Sequence, residues 1–544
     1  MHTNEPIIMS SAPTSCSRRC LNLLEKCKNM KHLKQAHAQA FTCSLTNNSY
    51  TLSRILAFCS HPTHGNLHHA RKLFQHIQNP TICIYNTMIK AFLLRDQIFE
   101  VFNLYVTMLQ NGMYPDNYTL PYVLKACAKF ESRFLGELVH GYCLKLGFGD
   151  IIVANSLILM YSSGVFSDMR AARYVFDEMP SPCVVSWTLM ISGFAKVGDV
   201  ESARLFFDRA LRKDRGVWGA MISGYLHNNC FKECLYMFNV MQLDSIVPDE
   251  GILLSIICAC AQLGALDSGI WVHRFTERLG LHRSIRLITG LIDMYAKCGN
   301  VDLAKKLFDE MPQRDVVCWN VMISGLAMHG DAEGALKLFT EMEEAGFKPD
   351  DVTFIAIFSA CSYSGMAYEG LRVLAKMCNV YGIEPKSEHY GCMVDLLSRA
   401  GLLEEAKEII ERMPVGSSSS EEAVAWRALL SGCCNQGQAQ LAEVAAEKLL
   451  QLEVHSGVYA LLSNLYATTG RYDEAKRIKK MMRNRGIYKL PGCSSIKING
   501  IIHEFVAGEK THKQLQDIEF ILQKINKELR FLECYSNPVL VDHT

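Results

Sequence analysis

At 544 residues the chain is too long for one compact domain, so several domains or a repeat array are expected. Apolar residues at 49% and charged residues at 20% exclude a disordered chain, and no stretch approaches twenty apolar residues without a charge, which excludes a membrane-spanning helix. The net charge of +1 leaves little bulk attraction for nucleic acid, so a nucleic-acid ligand would have to be held base by base.

In chain order, residues 1–16 belong to a Ser-, Thr- and Arg-containing start with one acidic residue, Glu5, compatible with an organelle transit peptide or a disordered end. The 22 cysteines form no CxxC pair, so neither a zinc site nor, without a secretory signal, a disulfide framework is expected. Cys27, Cys127, Cys260 and Cys361 instead recur at one repeat position, as small packing residues.

From Ser17 to residue 421 the chain repeats itself. YNTMIKAF at Tyr85 returns as SWTLMISGF at Ser186, VWGAMISGY at Val217 and CWNVMISGL at Cys318. LPYVLKACAKF at Leu120 returns as LLSIICACAQL at Leu253 and TFIAIFSACSYS at Thr353. Units begin near Ser17, Ser49, Ile82, Asn117, Ile151, Val184, Arg215, Glu250, Ile285, Val316, Asp351 and Ser387, and most run 31 to 36 residues. Three unequal lengths alternate, with one extra short unit over 184–214.

Each unit predicts two helices. In the Ile82 unit, Tyr85, Met88, Ile89 and Phe92 share one helical face, as do Val101, Leu104, Tyr105 and Met108 after the polar break Arg95–Gln97. NGMYPD then stops the second helix. A lone hairpin cannot bury its apolar face, so stacking is required, and a stack presents a concave surface suited to an extended polymer.

These units resemble the plant pentatricopeptide repeat family, and their alternating lengths its PLS subclass. The likeness rests on NVMISGLAMHGDAEGALKLFTEMEEAGFKPD (Asn320–Asp350), LIDMYAKCGNVDLAKKLFDEMPQRD (Leu291–Asp315) and EHYGCMVDLLSRAGLLEEAKEII (Glu388–Ile410). Beyond a Ser-rich junction, Gly416–Ser420, residues 422–491 resemble the family's E extension, 492–533 its E-plus segment, and 534–544 form a tail. In the E-plus segment, Ile496 and Ile498 should face Ile501 and Phe505 across an Asn499-Gly500 turn, and Ser495 stands where the family usually has Trp. Thr511 with Gln514 would then cap a helix whose apolar face carries Leu515, Ile518, Leu522, Ile525 and Leu529. The resemblance implies an all-α, right-handed superhelical solenoid of helix-turn-helix repeats ending in a small β-hairpin plus helix.

The resemblance also implies one repeat per base of single-stranded RNA, read by the fifth residue of a unit and its last. Guanine and uracil carry an N–H on the pairing edge where adenine and cytosine carry a lone pair. An ionised Asp only accepts, so it selects the first pair; Asn at the fifth position suits a pyrimidine and short Thr a purine. Asn86 with Asp116 and Asn320 with Asp350 would favour uracil; Thr188 with Asp214 and Thr289 with Asp315 would favour guanine. Asn155 suggests a pyrimidine beside Cys183, whereas Gly219 with Asp249 and Ser53 with Thr81 are off-pattern. Leu21, Pro121, Leu254 and Ile355 would space rather than read. The implied site is U-N-Y-G-N-N-G-U-N-N, with an edited cytosine after three further nucleotides.

No H-x-E and no CxxC is present, and HEFVAGEKTH at His503 is not HExxH, so no catalytic residue, metal or cofactor is expected. C-to-U editing would need a DYW-type deaminase protein in trans, docking through the E region with other editing factors; Lys476, Arg477, Lys479, Lys480, Arg483 and Arg485 form a basic run there. Organellar splicing, processing or stability factors, or a protein-binding scaffold, are the alternatives. The expected compartment is the mitochondrion, with the chloroplast as the other choice.

Overall fold

The computed structural model describes residues 22–42, 45, 49–61, 64–147, 149–164, 167–281, 283–413, 419–452, 456–488, 492–498, 501–507 and 514–536. The chain divides into two compact bodies, residues 1–314 and 315–544, both built from helical hairpins.

First helices begin at Ser49, Ile82, Thr119, Ile151, Val184, Arg215, Glu250 and Ile285 in the first body, and at Val316, Asp351 and Ser387 in the second. These follow the sequence periodicity to within two residues; the start expected at Ser17 lies outside the described residues. The reason is local. In the Ile82 unit the helix Ile82–Leu93 buries Tyr85, Met88, Ile89 and Phe92, and its partner Ile98–Gln110 buries Val101, Tyr105 and Met108. The polar break holds the turn, with Asp96 at φ 53°.

That left-handed residue recurs. It is the fifteenth of the unit as Asp96, Glu131, Gly198, Asn229, Gly264, Gly299, Gly330, Gly365 and Gly401. Glycine adopts this geometry without steric cost, whereas Glu131 occupies it at φ 53° in a unit whose counterparts use Gly264 and Gly365.

In each body, first helices pack in a row on the next first helix, and each second helix packs on its own first helix. The core therefore runs along the stack. One cluster links Leu24 to Ala126 and, in the second body, another links Val394 to Ala475. Cys127, Cys260 and Cys361 are buried, and burial pushes their thiols up to about 12, 12 and 11, as expected of packing residues. Cys27 is only half-buried.

Beyond the Ser387 unit stand two more hairpins, Ser419–Gln436 with Ala439–Leu452 and Ser456–Thr468 with Tyr472–Asn484. Ser419 and Ser420, expected in a loose junction, are helical. The antiparallel strands Cys493–Ile498 and Ile501–Val506 pair Ile498 with Ile501, Ile496 with His503 and Ser494 with Phe505. This register sets Ile496 and Phe505 on one face. The Asn499-Gly500 turn and Thr511 lie outside the described residues. A final helix, Leu515–Ser536, carries Leu522, Ile525 and Leu529 exposed.

Candidate nucleic-acid interface

The last residue of a unit caps the first helix of the next. The carboxylates of Asp116, Asp214, Asp249, Asp315 and Asp350 accept from the backbone N–H of Thr119, Val217, Ile252, Cys318 and Thr353. Asx capping is the ordinary employment of such an Asp. It uses a single oxygen, so capping leaves the carboxylate's other oxygen for different work.

At two junctions the fifth residue joins this cap. Asn86 Nδ2 donates to Asp116 Oδ1 at 3.0 Å, and Asn320 Nδ2 to Asp350 Oδ1 at 2.9 Å. A third side chain, close to the start of the next helix, completes each cluster. Thr119 Oγ1 lies 2.7 Å from Asn86 Oδ1 and 2.8 Å from Asp116 Oδ1; Thr353 Oγ1 lies 2.6 Å from Asn320 Oδ1 and 2.9 Å from Asp350 Oδ1. A hydroxyl has one proton, and the shorter contact assigns it to the Asn carbonyl. The same hydroxyls accept from the Asp116 and Asp350 backbone N–H groups.

Burial pushes the Asp116 carboxyl up, but hydrogen bonds from the Thr119 N–H, the Asn86 amide and the Tyr118 N–H outweigh it and hold it below the ordinary carboxylate value. Asp350 behaves alike: burial raises it, and Thr353, Asn320 and the Val352 N–H lower it further than burial lifts it. Both groups are therefore anions at neutral pH and pure acceptors. The hydrogen bonds from Asn86, Tyr118 and Thr119 to Asp116, and from Asn320 and the Thr353 N–H to Asp350, end on Oδ1, which leaves Oδ2 to face an outside N–H.

Asn155 follows the same plan with sulfur. Its Nδ2 meets Cys183 Sγ at 3.6 Å, and Ser186 Oγ donates to its Oδ1 at 2.7 Å. Burial raises the Cys183 thiol, while the Ser186 N–H and the Asn155 amide help bring it below its usual value.

The Thr positions differ. Thr188 Oγ1 donates to Val184 O at 2.9 Å and Thr289 Oγ1 to Ile285 O at 2.8 Å, each within its own helix. Asp214 stands near Thr188 with Gly216 between them: a Cβ at Gly216 would lie 3.2 Å from Asp214 Oδ1 and 3.8 Å from Thr188 Oγ1. A cleft of about 480 Å³ opens here, lined by Thr188, Lys196, Gly216, Gly219 and Ser223 among others. Asp315 opens the second body as an exposed cap; the Cys318 side chain and N–H outweigh its partial burial and hold its carboxyl low.

Exposure separates the sites. Asn86, Asn155 and Thr188 are half-buried and Asp214, Asp315 and Asp350 more open, whereas Asn320 is 5% exposed and Thr289 8%. Of the residues expected to space, Pro121 is buried and Leu254 and Ile355 half-buried; Leu21 lies outside the described residues. Thr119, Ser186 and Thr353 were not expected in the site. Their signal is a hydroxyl three places after the unit's last residue: Asp116-x-x-Thr119, Cys183-x-x-Ser186, Asp350-x-x-Thr353.

Stacked helical hairpins with polar clusters at the Asn86, Asn155 and Asn320 junctions define the class: a helical-repeat protein. Comparison with known proteins narrows this. The PPR repeat family matches residues 80–129 and 314–362, the PPR repeat residues 185–214, 216–246, 289–316 and 388–415, and the E motif residues 437–497. Three pentatricopeptide repeat-containing proteins of Arabidopsis thaliana are similar over most of their length. One is 39% identical over 92% of this chain and 93% of its own; a mitochondrial one is 34% identical over 97% and 92%; a chloroplastic one is 34% identical over 93% and 82%. The chain belongs to the pentatricopeptide repeat family. Among solved structures, the maize pentatricopeptide repeat protein PPR10 aligns with 88% of this chain and 89% of its own at 15% identity and a TM-score of 0.44.

Proposed function

We propose that this chain is a sequence-specific, single-stranded RNA-binding factor of organelles that marks sites for C-to-U editing and recruits a DYW-type deaminase in trans. The observation that carries the RNA reading is the anionic Asp at a unit junction, with Oδ1 spent on the cap and the Asn amide and Oδ2 left over. Such an oxygen accepts from the N–H of uracil or guanine and repels the lone pair of cytosine or adenine. Asn86 with Asp116, Asn320 with Asp350, Thr188 with Asp214 and Thr289 with Asp315 are the readers, with Asn155 as a weaker pyrimidine contact. The site they spell is U-N-Y-G-N-N-G-U-N-N.

The E motif match favours editing over other RNA processing, and relatives named as mitochondrial and chloroplastic favour an organelle. The mitochondrion is the choice carried forward. The exposed basic run on the helix Tyr472–Asn484 would then lie beside the deaminase or the RNA downstream of the read bases.

Two measurements test this. RNA carrying the proposed site should bind at least about tenfold more tightly than RNA with its two guanines replaced, each lost hydrogen bond to a charged group being worth about 1.5–3 kcal/mol; equal binding ends the base-reading proposal. Deleting residues 494–544 should abolish editing and spare RNA binding. Retained editing would transfer the recruiting role elsewhere.

A further inference from the structure

Each Asn proposed to read a base is held by a hydroxyl from the following unit: Asn86 by Thr119, Asn155 by Ser186 and Asn320 by Thr353. After the two Thr readers the equivalent places hold Val217 and Cys318, which carry no hydroxyl. An amide can present either its N–H edge or its carbonyl, and the two are nearly equal in shape. With the hydroxyl donating into Oδ1, the carbonyl is committed inward and one Nδ2 hydrogen goes to the unit's last residue. The other Nδ2 hydrogen is the one left to offer a base.

We infer that Thr119, Ser186 and Thr353 are positioning residues for base recognition, fixing the Asn amide so that it donates to a pyrimidine carbonyl. The inference rests on the base-reading function proposed above and extends it from two residues per repeat to three, the third supplied by the next repeat. A turned amide would offer a carbonyl instead and meet the carbonyl of uracil with like charge. At the Asn86 and Asn320 junctions the carboxylate also opposes that turn. At Asn155 the partner is a thiol at 3.6 Å, a weak acceptor, so Ser186 alone holds the amide.

The test uses the full chain and RNAs of the proposed site with all four bases at one nucleotide. Thr353→Val, which keeps the shape and removes the hydroxyl, should lower the uracil preference at the Asn320 nucleotide roughly fivefold and leave the other nucleotides unchanged. Thr353→Ser should keep the preference. Ser186→Ala should cause a larger loss at the Asn155 nucleotide. In the Asn320→Thr background, Thr353→Val should leave base preference unaltered, because a fifth-position Thr turns its hydroxyl to its own helix. A uniform fall in affinity for all four bases, or an unaltered preference in Thr353→Val and Ser186→Ala, would overturn the inference while Asn320→Thr still shifts the preference. If Asn320→Thr shifts nothing, the base-reading function itself fails and takes this inference with it.

Discussion

The Asn320 and Thr188 junctions share a frame and a capping Asp, yet they are built to opposite ends. At Asn320 the amide, the Asp350 carboxylate and the Thr353 hydroxyl lock together and nearly bury the Asn. At Thr188 the hydroxyl turns back to its own helix, Gly216 stands in place of a larger side chain, and a cleft of about 480 Å³ remains. One junction fixes an edge; the other leaves room. Among the described residues, the hydrogen bonds given for both junctions come from first helices and the residue before them, so on the proposed function selectivity would belong to the seam between units rather than to either unit.

The largest expected effect comes from converting one junction into the other. Asn320→Thr should move the preference at a single nucleotide from uracil to guanine by about tenfold or more, measured by competition between RNAs differing at that base. A shift spread over many nucleotides would break the comparison. Next comes Gly216→Ala, whose Cβ would stand 3.2 Å from Asp214 Oδ1. It should cut the guanine preference at the Thr188 nucleotide a few-fold while stabilising the helix by up to about 1 kcal/mol, so affinity and thermal midpoint move in opposite directions.

The pH dependence is weaker. The folded carboxyls of Asp116 and Asp350 lie below their ordinary value of about 3.9, so their contribution is fully present above that value and is lost as pH falls through the lower folded one. Uracil preference should therefore stay level from about pH 7 to about pH 5. A fall already at about pH 6 would mean that a different group does the reading. The smallest effect on recognition belongs to Glu131→Gly, which relieves a left-handed non-glycine residue. Thermal stability should rise by about 1 kcal/mol with base preference unchanged, separating the frame from the seam.

Much of this architecture is legible in the amino-acid sequence. The helical spacing of Tyr85, Met88, Ile89 and Phe92 suffices for the helices, because stacking buries that one face. The Asp caps are legible too, since the carboxylate and the third N–H of a helix are local neighbours along the chain. The hydroxyl contact is not. Thr353 and Asn320 are 33 residues apart, and a helix-start hydroxyl reads first as half of a capping box with the adjacent Asp350. The burial of Asn320 at 5%, against the half-buried Asn86, is equally out of reach, for it depends on how tightly neighbouring first helices approach. In the last helix, Leu522, Ile525 and Leu529 hold the expected face but stay exposed, because periodicity specifies a stripe and not what covers it.

In nine units the left-handed residue at the hairpin turn falls fifteenth from the unit's start, and in the Ile151 unit it is Gly164, one place earlier, although units differ in length. Apart from that single place, differences in unit length fall on the outer helix and the connection behind it. Within each body the first helices keep a nearly constant beat, so insertions on the back of the hairpins can accumulate without moving the points that would meet successive nucleotides. Variation in length and fidelity of spacing are uncoupled by one backbone angle.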